Sequence, residues 1–328
     1  MAVKGLTALT LADWGKRIDP NGKVDKIIEL LSQTNPILQD MPFVEGNLPT
    51  GHRTTVRTGL PSATWRLLNY GVKQRKSTTV QVTDSCGMLE TYSEVDKSLA
   101  DLNGNTAEFR LSEDRAFIEA MNQQMAQTLF YGDTSVNPQQ FMGLSSRYSS
   151  LSAGNAQNII DGGGTGTDNT SIWLVVWGEN TVHGTFPKGQ KAGLQHQDLG
   201  EQTLTDPDGG KYQGYRTHYK WDNGLTLRDW RYVVRVANID VSNLSDPATA
   251  ANIAKLMIRA LHRIPNRGMG KPVFYMNRSV NEALDLQSLE KSSLAISVKE
   301  TEGEWWTALR GVPIRETDAI LETEARVV

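Results

Sequence analysis

The chain has 328 residues, of which 38% are hydrophobic and 22% charged, and its formal net charge is −3. That length suffices for about two domains, and the small negative charge excludes a strongly basic, histone-like protein. The single cysteine, Cys86, excludes an intrachain disulfide and a zinc site built from cysteines. No apolar run reaches the roughly 20 residues of a membrane span, and the N-terminal residues lack the apolar region of a signal peptide. We therefore expect a soluble protein that is made and used on the same side of a membrane.

The first predicted elements belong to a short N-terminal arm rather than to a domain. Residues 19–22 have the composition of a tight turn. Apolar residues then recur at helical spacing over residues 23–33, and Asn35 and Pro36 end that pattern. The sequence therefore predicts one amphipathic helix within this arm.

Residues 46–83 are predicted to form a long β-hairpin, because β-branched residues cluster at both ends and turn residues lie between them. The hairpin contains no Asp or Glu, and its cations are Arg53, Arg57, Arg66, Lys73, Arg75 and Lys76. An isolated two-stranded ribbon is only marginally stable in water. We therefore expect the hairpin to dock on an acidic neighbour. Two alternatives remain, an ordinary solvated basic face and a nucleic-acid ribbon in which Trp65 and Tyr70 stack on bases.

Residues 112–131 are predicted to form the longest helix. Ser112 suits the N-cap, and Glu113 and Asp114 follow in the first turn, where the helix dipole favours negative charge. Gly132 suits the position after the last helical residue. Apolar residues at helical spacing are Ile118, Met121, Met125 and Leu129. The pattern is typical of an amphipathic core helix, and the spine of an extended, self-assembling subunit is the alternative interpretation.

The C-terminal half is predicted to combine buried strands with two amphipathic helices. Residues 172–177 are wholly apolar, which indicates a buried strand. Arg228, Arg231 and Arg235 predict a polar face on the strand of residues 225–239. The other predicted elements are strands at residues 181–186, 215–221, 272–276 and 308–315, helices at residues 249–264 and 279–289, a hairpin tip at residues 206–210, and a charged, mobile segment at residues 290–304.

The sequence contains no convergent catalytic pattern. None of the five histidines lies in an HExxH motif, no GxSxG motif occurs, and residues 162–166 lack the ending of a phosphate-binding loop. His196 and Asp198 could ligate a metal, although loop histidines usually do not, and Cys86 is expected to be structural. We therefore predict no catalytic, cofactor-binding or metal-binding residue, no cofactor and no enzymatic activity.

Five stretches of the chain resemble coat proteins of tailed bacteriophages. They are residues 47–61 (NLPTGHRTTVRTGLP), 93–113, 169–189 (NTSIWLVVWGENTVHGTFPKG), 229–240 and 270–278. The order of predicted elements, from N-terminal arm to the final Leu-Arg-Gly-Val-Pro, is similar as well. The chain thus resembles tailed-bacteriophage major capsid proteins of the Hong Kong 97-type fold, in the branch of podovirus coat proteins related to that of epsilon15. The resemblance covers nearly the whole chain.

This resemblance implies an α+β fold of four parts. They are an N-terminal arm (residues 1–43), an extended E-loop with its supporting strands (44–95), a P-domain with the spine helix and a β-rich segment (96–240), and an A-domain (241–328). Some relatives crosslink covalently through a lysine, and Lys73 and Lys76 lie in the corresponding loop. No activating carboxylate or partner asparagine is identifiable here, so non-covalent contacts are expected.

The resemblance also implies function, namely self-assembly into the hexamers and pentamers of an icosahedral shell around double-stranded DNA. The expected location is the virion capsid, assembled in the cytoplasm of a bacterial host. The expected partners are further copies of the chain and scaffolding, portal and decoration proteins, with no sequence-specific DNA binding and no membrane. A nucleic-acid-binding module that uses residues 52–76 remains the alternative.

In the capsid interpretation, the six cations of the hairpin meet acidic groups on a neighbouring subunit. Such groups cluster on and just before the predicted spine helix. The candidates are Glu108, Glu113, Asp114 and Glu119. Each exposed ion pair contributes about 0–1 kcal/mol, so the expected stabilisation comes from repetition over a closed shell.

Overall fold

A computed structural model describes residues 9–17, 32–245, 250–290, 296–301 and 304–328. The helix predicted over residues 23–33 lies outside these ranges except for residues 32 and 33, which are not helical. The helices are α1 (Leu11–Lys16), α2 (Ile37–Asp40), α3 (Lys97–Ala100), α4 (Thr106–Tyr131), α5 (Leu144–Arg147), α6 (Ile253–Arg263) and α7 (Arg278–Glu290). Among the residues described, no helix is long and apolar enough to cross a membrane.

The strands dominate the described part of the chain. They are β1 (Phe43–Glu45), β2 (Gly51–Gly59), β3 (Thr78–Asp96), β4 (Ile159–Asp161), β5 (Asn169–Trp177), β6 (Val182–Phe186), β7 (Gln195–Thr205), β8 (Lys211–Leu227), β9 (Val233–Asp240), β10 (Lys271–Met276), β11 (Ile296–Thr301), β12 (Glu304–Leu309) and β13 (Val312–Glu316). Nine of them follow the order β11-β12-β13-β10-β5-β6-β8-β3-β2. Of the others, β1 lies beside β6, β7 beside β8, and β9 between β4 and β5.

Strand β5 is the centre of the sheet and is buried on both faces. Because successive side chains point to opposite faces, alternate residues enter different cores. Ile172, Leu174 and Val176 pack with residues of α6 and α7. Trp173 and Trp177 pack on the other side with residues of α4. The apolar run thus forms the buried strand that the sequence predicts.

Helix α4 begins six residues earlier than predicted, at Thr106. Ser112 is not an N-cap but lies inside the helix, where its hydroxyl donates to the Phe109 carbonyl at 2.7 Å. The cause is Phe109, whose side chain is buried against Leu99 and other residues around α3. The burial of Phe109 stabilises an N-terminal extension of the helix that the periodicity of residues 112–131 does not indicate. The predicted end is correct, since the helix stops at Tyr131 before Gly132.

The break predicted between the strands of residues 215–221 and 225–239 is wrong in position. Strand β8 continues through Asp222, Asn223 and Gly224, which pair with residues 86–88 of β3. This pairing gives the backbone N–H and C=O groups of the polar segment hydrogen-bond partners in β3, so the segment does not need water to satisfy them. The chain breaks later, in a 3-10 turn at Trp230–Tyr232. The turn predicted at residues 206–210 joins β7 to β8, as expected.

The mobile segment predicted over residues 290–304 is also wrong where the structure describes it. Residues 296–301 form β11, which pairs in antiparallel register with β12. Residues 296–301 (ISVKET) contain only two alternating apolar residues, Ile296 and Val298, and this pattern is too short to predict a strand from sequence.

Arg235 contradicts the predicted polar face of its strand, because it is only 3% exposed. Its guanidinium pairs with the carboxylate of Glu324 at 2.9 Å and donates to the Tyr148 carbonyl at 2.8 Å. It also lies over the Trp173 ring. A C-terminal segment that includes Glu324 and Val327 therefore packs into the body of the subunit.

The predicted boundary between P-domain and A-domain, at residue 240, crosses a continuous sheet. Strand β5 pairs with β9 on the N-terminal side of that boundary and with β10 on its C-terminal side. The division into domains therefore stays a prediction.

Candidate assembly interface

Two strands and a long loop form an arm, which we define as residues 51–85. Strand β2 pairs with residues 78–85 of β3, and residues 86–96 of β3 then pair with β8. Residues 60–77 connect the two strands without regular secondary structure. We call them the tip. The long hairpin predicted from sequence is thus present, and β3 joins it to the main sheet.

The tip exposes an unusual set of apolar side chains. Every residue from 60 to 76 is exposed, and the relative exposure of Trp65 is 100%, of Leu68 87% and of Leu60 80%. The other large apolar residues of this set are Leu67, Tyr70 and Val72. A turn brings part of the set together, since the Tyr70 amide donates to the Leu67 carbonyl at 3.2 Å and Asn69 has a φ of 64°. Asn is among the residues that adopt this left-handed conformation most readily.

The six predicted cations all lie on the arm and are all exposed: Arg53, Arg57, Arg66, Lys73, Arg75 and Lys76. Among the residues described, none of them forms an ion pair. Arg53 makes one polar side-chain contact, in which its Nε donates to the Thr83 hydroxyl at 3.3 Å. The arm therefore combines apolar surface with positive charge that this part of the subunit does not neutralise.

The base of the arm, in contrast, is held firmly by buried polar groups. His52 of β2 lies opposite Asp84 of β3. One oxygen of Asp84 pairs with the guanidinium of Arg147 at 2.8 Å, and the other accepts from the Leu227 amide at 3.3 Å. Arg228 donates to the imidazole of His52 at 3.2 Å. These contacts join the arm to α5 and to the end of β8.

The four acidic candidates lie along α4, where three of them already have partners in the same subunit. Glu113 forms an ion pair with Arg17. Glu119 accepts from the Gln33 amide and from the Gln123 side chain, both at 2.9 Å. The partner of Asp114 is the Tyr219 hydroxyl, which donates to its carboxylate. Burial, followed by this nearby carboxylate, raises the pKa of Tyr219 to about 12. Glu108 lies exposed in the first turn. Contact with a neighbouring subunit stays a prediction for all four.

Of His196 and Asp198, which could ligate a metal by sequence, Asp198 is held by an arginine. Asp198 forms an ion pair with Arg110 at 2.7 Å, and this contact lowers the pKa of the Asp198 carboxyl. The described ranges contain no group of three or more His, Cys, Asp or Glu side chains placed to hold a metal. Burial and the nearby carboxylates Asp222 and Asp84 raise the pKa of the Cys86 thiol to about 11. A thiol of this kind is a weak nucleophile.

The sequence-based prediction found the cations of the arm but not its apolar tip. The sequence pattern indicates for Trp65 and Tyr70 only that bases could stack on them, and it indicates no role for Leu60, Leu67 and Leu68. The signal that could identify them is an excess of large apolar residues in a stretch with neither helical nor strand periodicity. Such residues enter no core of the part of the chain that the structure describes.

Comparisons with known proteins give a consistent result. The model of the family described as "Major capsid protein GP7" matches residues 19–328. A chain in a solved structure of bacteriophage epsilon15 is 35% identical in sequence and superposes with a TM-score of 0.79. The match covers 100% of this chain and 99% of the epsilon15 chain. This match confirms the predicted α+β capsid-protein fold.

More distant matches include the capsid of bacteriophage JBD30, at 10% identity and a TM-score of 0.47, with 89% of this chain and 93% of that chain covered. The capsid of a native GTA particle matches at 12% identity and a TM-score of 0.46, and the match covers 71% of this chain and 99% of that chain. Likenesses at this level carry no further argument. Among curated protein sequences, none matches the chain.

Proposed function

Since the chain belongs to the GP7 family of major capsid proteins, and is therefore a shell-forming phage coat protein, we propose that its arm is the element with which one subunit holds the next. The observation that carries this proposal is the apolar tip. A large side chain that moves from full exposure to full burial contributes about 1.5–3 kcal/mol. A protein that assembles from copies of itself has an adjacent surface on which such side chains can be buried.

The apolar tip and the cations would have different roles. Burial of Trp65 and Leu68 would supply most of the binding free energy, because exposed ion pairs contribute only about 0–1 kcal/mol each. The cations would select the orientation of the neighbouring copy, since charge complementarity mainly determines specificity and association rate. Glu108 is the predicted acceptor that the subunit itself leaves most exposed.

The anchored base supports the same role. An arm that swung freely at its base would lose its orientation, and ordering it on contact would consume part of the binding free energy. The ion pair between Asp84 and Arg147 is buried, so the base is ordered before any neighbour binds. The arm therefore resembles a preorganised binding element with an uncovered tip.

We further infer the assembly around this contact. The shell would be icosahedral, built from hexamers and pentamers around double-stranded DNA, and assembled in the cytoplasm of a bacterial host. Scaffolding, portal and decoration proteins would be the other partners. The family is one of structural proteins, and this supports a role without catalysis.

Two double variants test the proposal. We expect Trp65→Ser with Leu68→Ser, and separately Arg57→Glu with Arg66→Glu, to abolish shell formation in negative-stain electron microscopy. Both should leave the circular dichroism and the thermal midpoint of the subunit unchanged, since the altered side chains are exposed. Lys188→Glu with Lys191→Glu, an equal change of charge at two exposed lysines outside the arm, is the matched control. Normal particles from both arm variants would refute the proposal.

The same proteins distinguish the nucleic-acid alternative. A nucleic-acid ribbon would bind DNA as an unassembled subunit, and its affinity would fall steeply with salt. Our proposal predicts little DNA binding by purified subunits in a gel-shift assay.

A further inference from the structure

Five residues at the base of the arm form a cluster that we call the joint: His52, Asp84, Arg147, His183 and Arg228. They come from β2, β3, α5, β6 and the residue after β8. Each of the two histidines and Asp84 is buried. The joint is therefore the place where the arm meets three separate elements of the body.

The hydrogen bonds define the protonation state of His52. A guanidinium has donors only, and Arg228 Nη2 lies 3.2 Å from His52 Nε2. His52 Nε2 must therefore accept, which puts the imidazole proton on Nδ1, a buried nitrogen that has no hydrogen-bond partner among the described residues. A second proton on Nε2 would place two donors against each other. His52 fits the joint only as a neutral ring.

His183 is neutral for a related reason. Its Nδ1 lies 3.1 Å from the carbonyl of Gly184, which can only accept, so the proton is on Nδ1. The Thr185 hydroxyl, 3.2 Å from the same nitrogen, can accept from that N–H while it donates to the Thr226 hydroxyl. Its Nε2 is buried and has no partner among the described residues. A proton added there would be a buried donor without an acceptor among the described residues, which disfavours the charged ring. The two imidazole rings lie edge to face, 5.6 Å apart, so charges on both would also repel.

Of the charged groups that face the two rings, the arginine opposes protonation and the carboxylates favour it. Arg228 faces both rings, and Arg147 faces Asp84. The carboxylates that act on the rings among the described residues are Asp84, which already accepts from Arg147 and Leu227, and the exposed Glu179. Burial, and after it Arg228, lowers the pKa of His52. Burial is also the main cause that lowers the pKa of His183.

We propose that the joint is an acid-sensitive attachment, in which protonation of His52 and His183 releases the base of the arm from the body of the subunit. The state with the arm attached holds both rings neutral, and the opened state lets both take up protons from water. Acid therefore favours the opened state. The acid response belongs to the single subunit; only its consequence for the shell rests on the proposed function.

The direction of the pH effect follows from linkage. A histidine whose pKa is lower in the attached state stabilises that state above its ordinary pKa of 6.5. The stabilisation is lost as the pH falls from that value toward the lowered pKa. Within this window, each histidine raises the population of the opened state by up to about tenfold per pH unit.

Hydrogen–deuterium exchange measures this opening directly. Peptides covering residues 48–59 and 78–86 report on the joint, and peptides from α4 are the internal reference. The exchange rates are first corrected for their intrinsic pH dependence. The ratio of the arm-peptide rate to the α4-peptide rate should then be about tenfold higher at about pH 5 than at about pH 7.5. The measurement should give the same direction with unassembled subunits and with particles.

Variants assign the response to the joint. His52→Gln keeps an acceptor for Arg228, and His183→Asn keeps a donor for Gly184, while neither titrates. The double variant should lose the acid response, and His196→Gln, at an exposed histidine of β7, should keep it. If the ratio of arm exchange to α4 exchange in the wild-type protein does not change with pH, the proposal is overturned, even if the double variant does not fold. An unchanged acid response in the folded double variant would overturn it as well.

Discussion

At the scale of single residues, Arg235 illustrates what a local pattern cannot predict. Three arginines in one predicted strand indicate a polar face, and Arg231 is indeed more than half exposed at its side chain. Arg235 is buried because Glu324, far along the sequence, supplies its counter-charge, while Ser171 and Tyr131 share that carboxylate. No window around Arg235 contains this information.

This buried pair gives a prediction for stability. Glu324→Gln leaves the Arg235 charge uncompensated in the core, and breaking a buried pair in this way costs about 3–5 kcal/mol. We expect the urea midpoint of the variant to fall accordingly. Glu201→Gln, which removes the exposed partner of Lys97, is the control and should leave the midpoint nearly unchanged. Equal midpoints for the two variants would mean that Glu324 does not neutralise Arg235 in solution.

At the scale of elements, helix α4 and the arm show where periodicity is informative. The apolar stripe predicts the existence and the C-terminal end of α4, because those residues pack on the sheet. It misses the first six residues, since Phe109 is buried in a separate small cluster with Val95, Leu99 and Ala100 rather than in the main core beside β5. The strands of the arm are predicted from β-branched residues, whereas its apolar tip is not, because its large side chains follow no periodicity and none of the described residues covers them.

The helix also gives a packing prediction. Phe130 is fully buried and its ring contacts those of Trp173 and Tyr275. Phe130→Ala should therefore reduce the free energy of unfolding by about 3–5 kcal/mol. Ile118 belongs to the predicted stripe, which does not include Phe130, but is 38% exposed, so Ile118→Ala should cost about 0.5 kcal/mol or less. Chemical denaturation of both variants tests this ranking, and a similar loss for each would show that the predicted stripe, rather than the observed burial, describes the packing.

At the scale of the whole molecule, the resemblance of five separate stretches predicts the family and the α+β fold, and the comparisons confirm both. The arrangement of the sheet is not predictable from these stretches. Strand β5 pairs with β9 and with β10, which lie about 60 and about 100 residues further along the chain. Such pairings depend on which surfaces meet after the chain has folded, so domain boundaries read along the sequence cross the sheet.

The account as a whole makes the arm the contact between subunits, and cryo-electron microscopy of the assembled shell at side-chain resolution tests this most directly. We predict that residues 60–77 of each subunit lie on an adjacent copy, with the Trp65 side chain buried between the two and Arg57 and Arg66 close to carboxylates of the neighbour. A shell in which this tip projects into solvent, or folds back on its own subunit with Trp65 still exposed, would contradict the account.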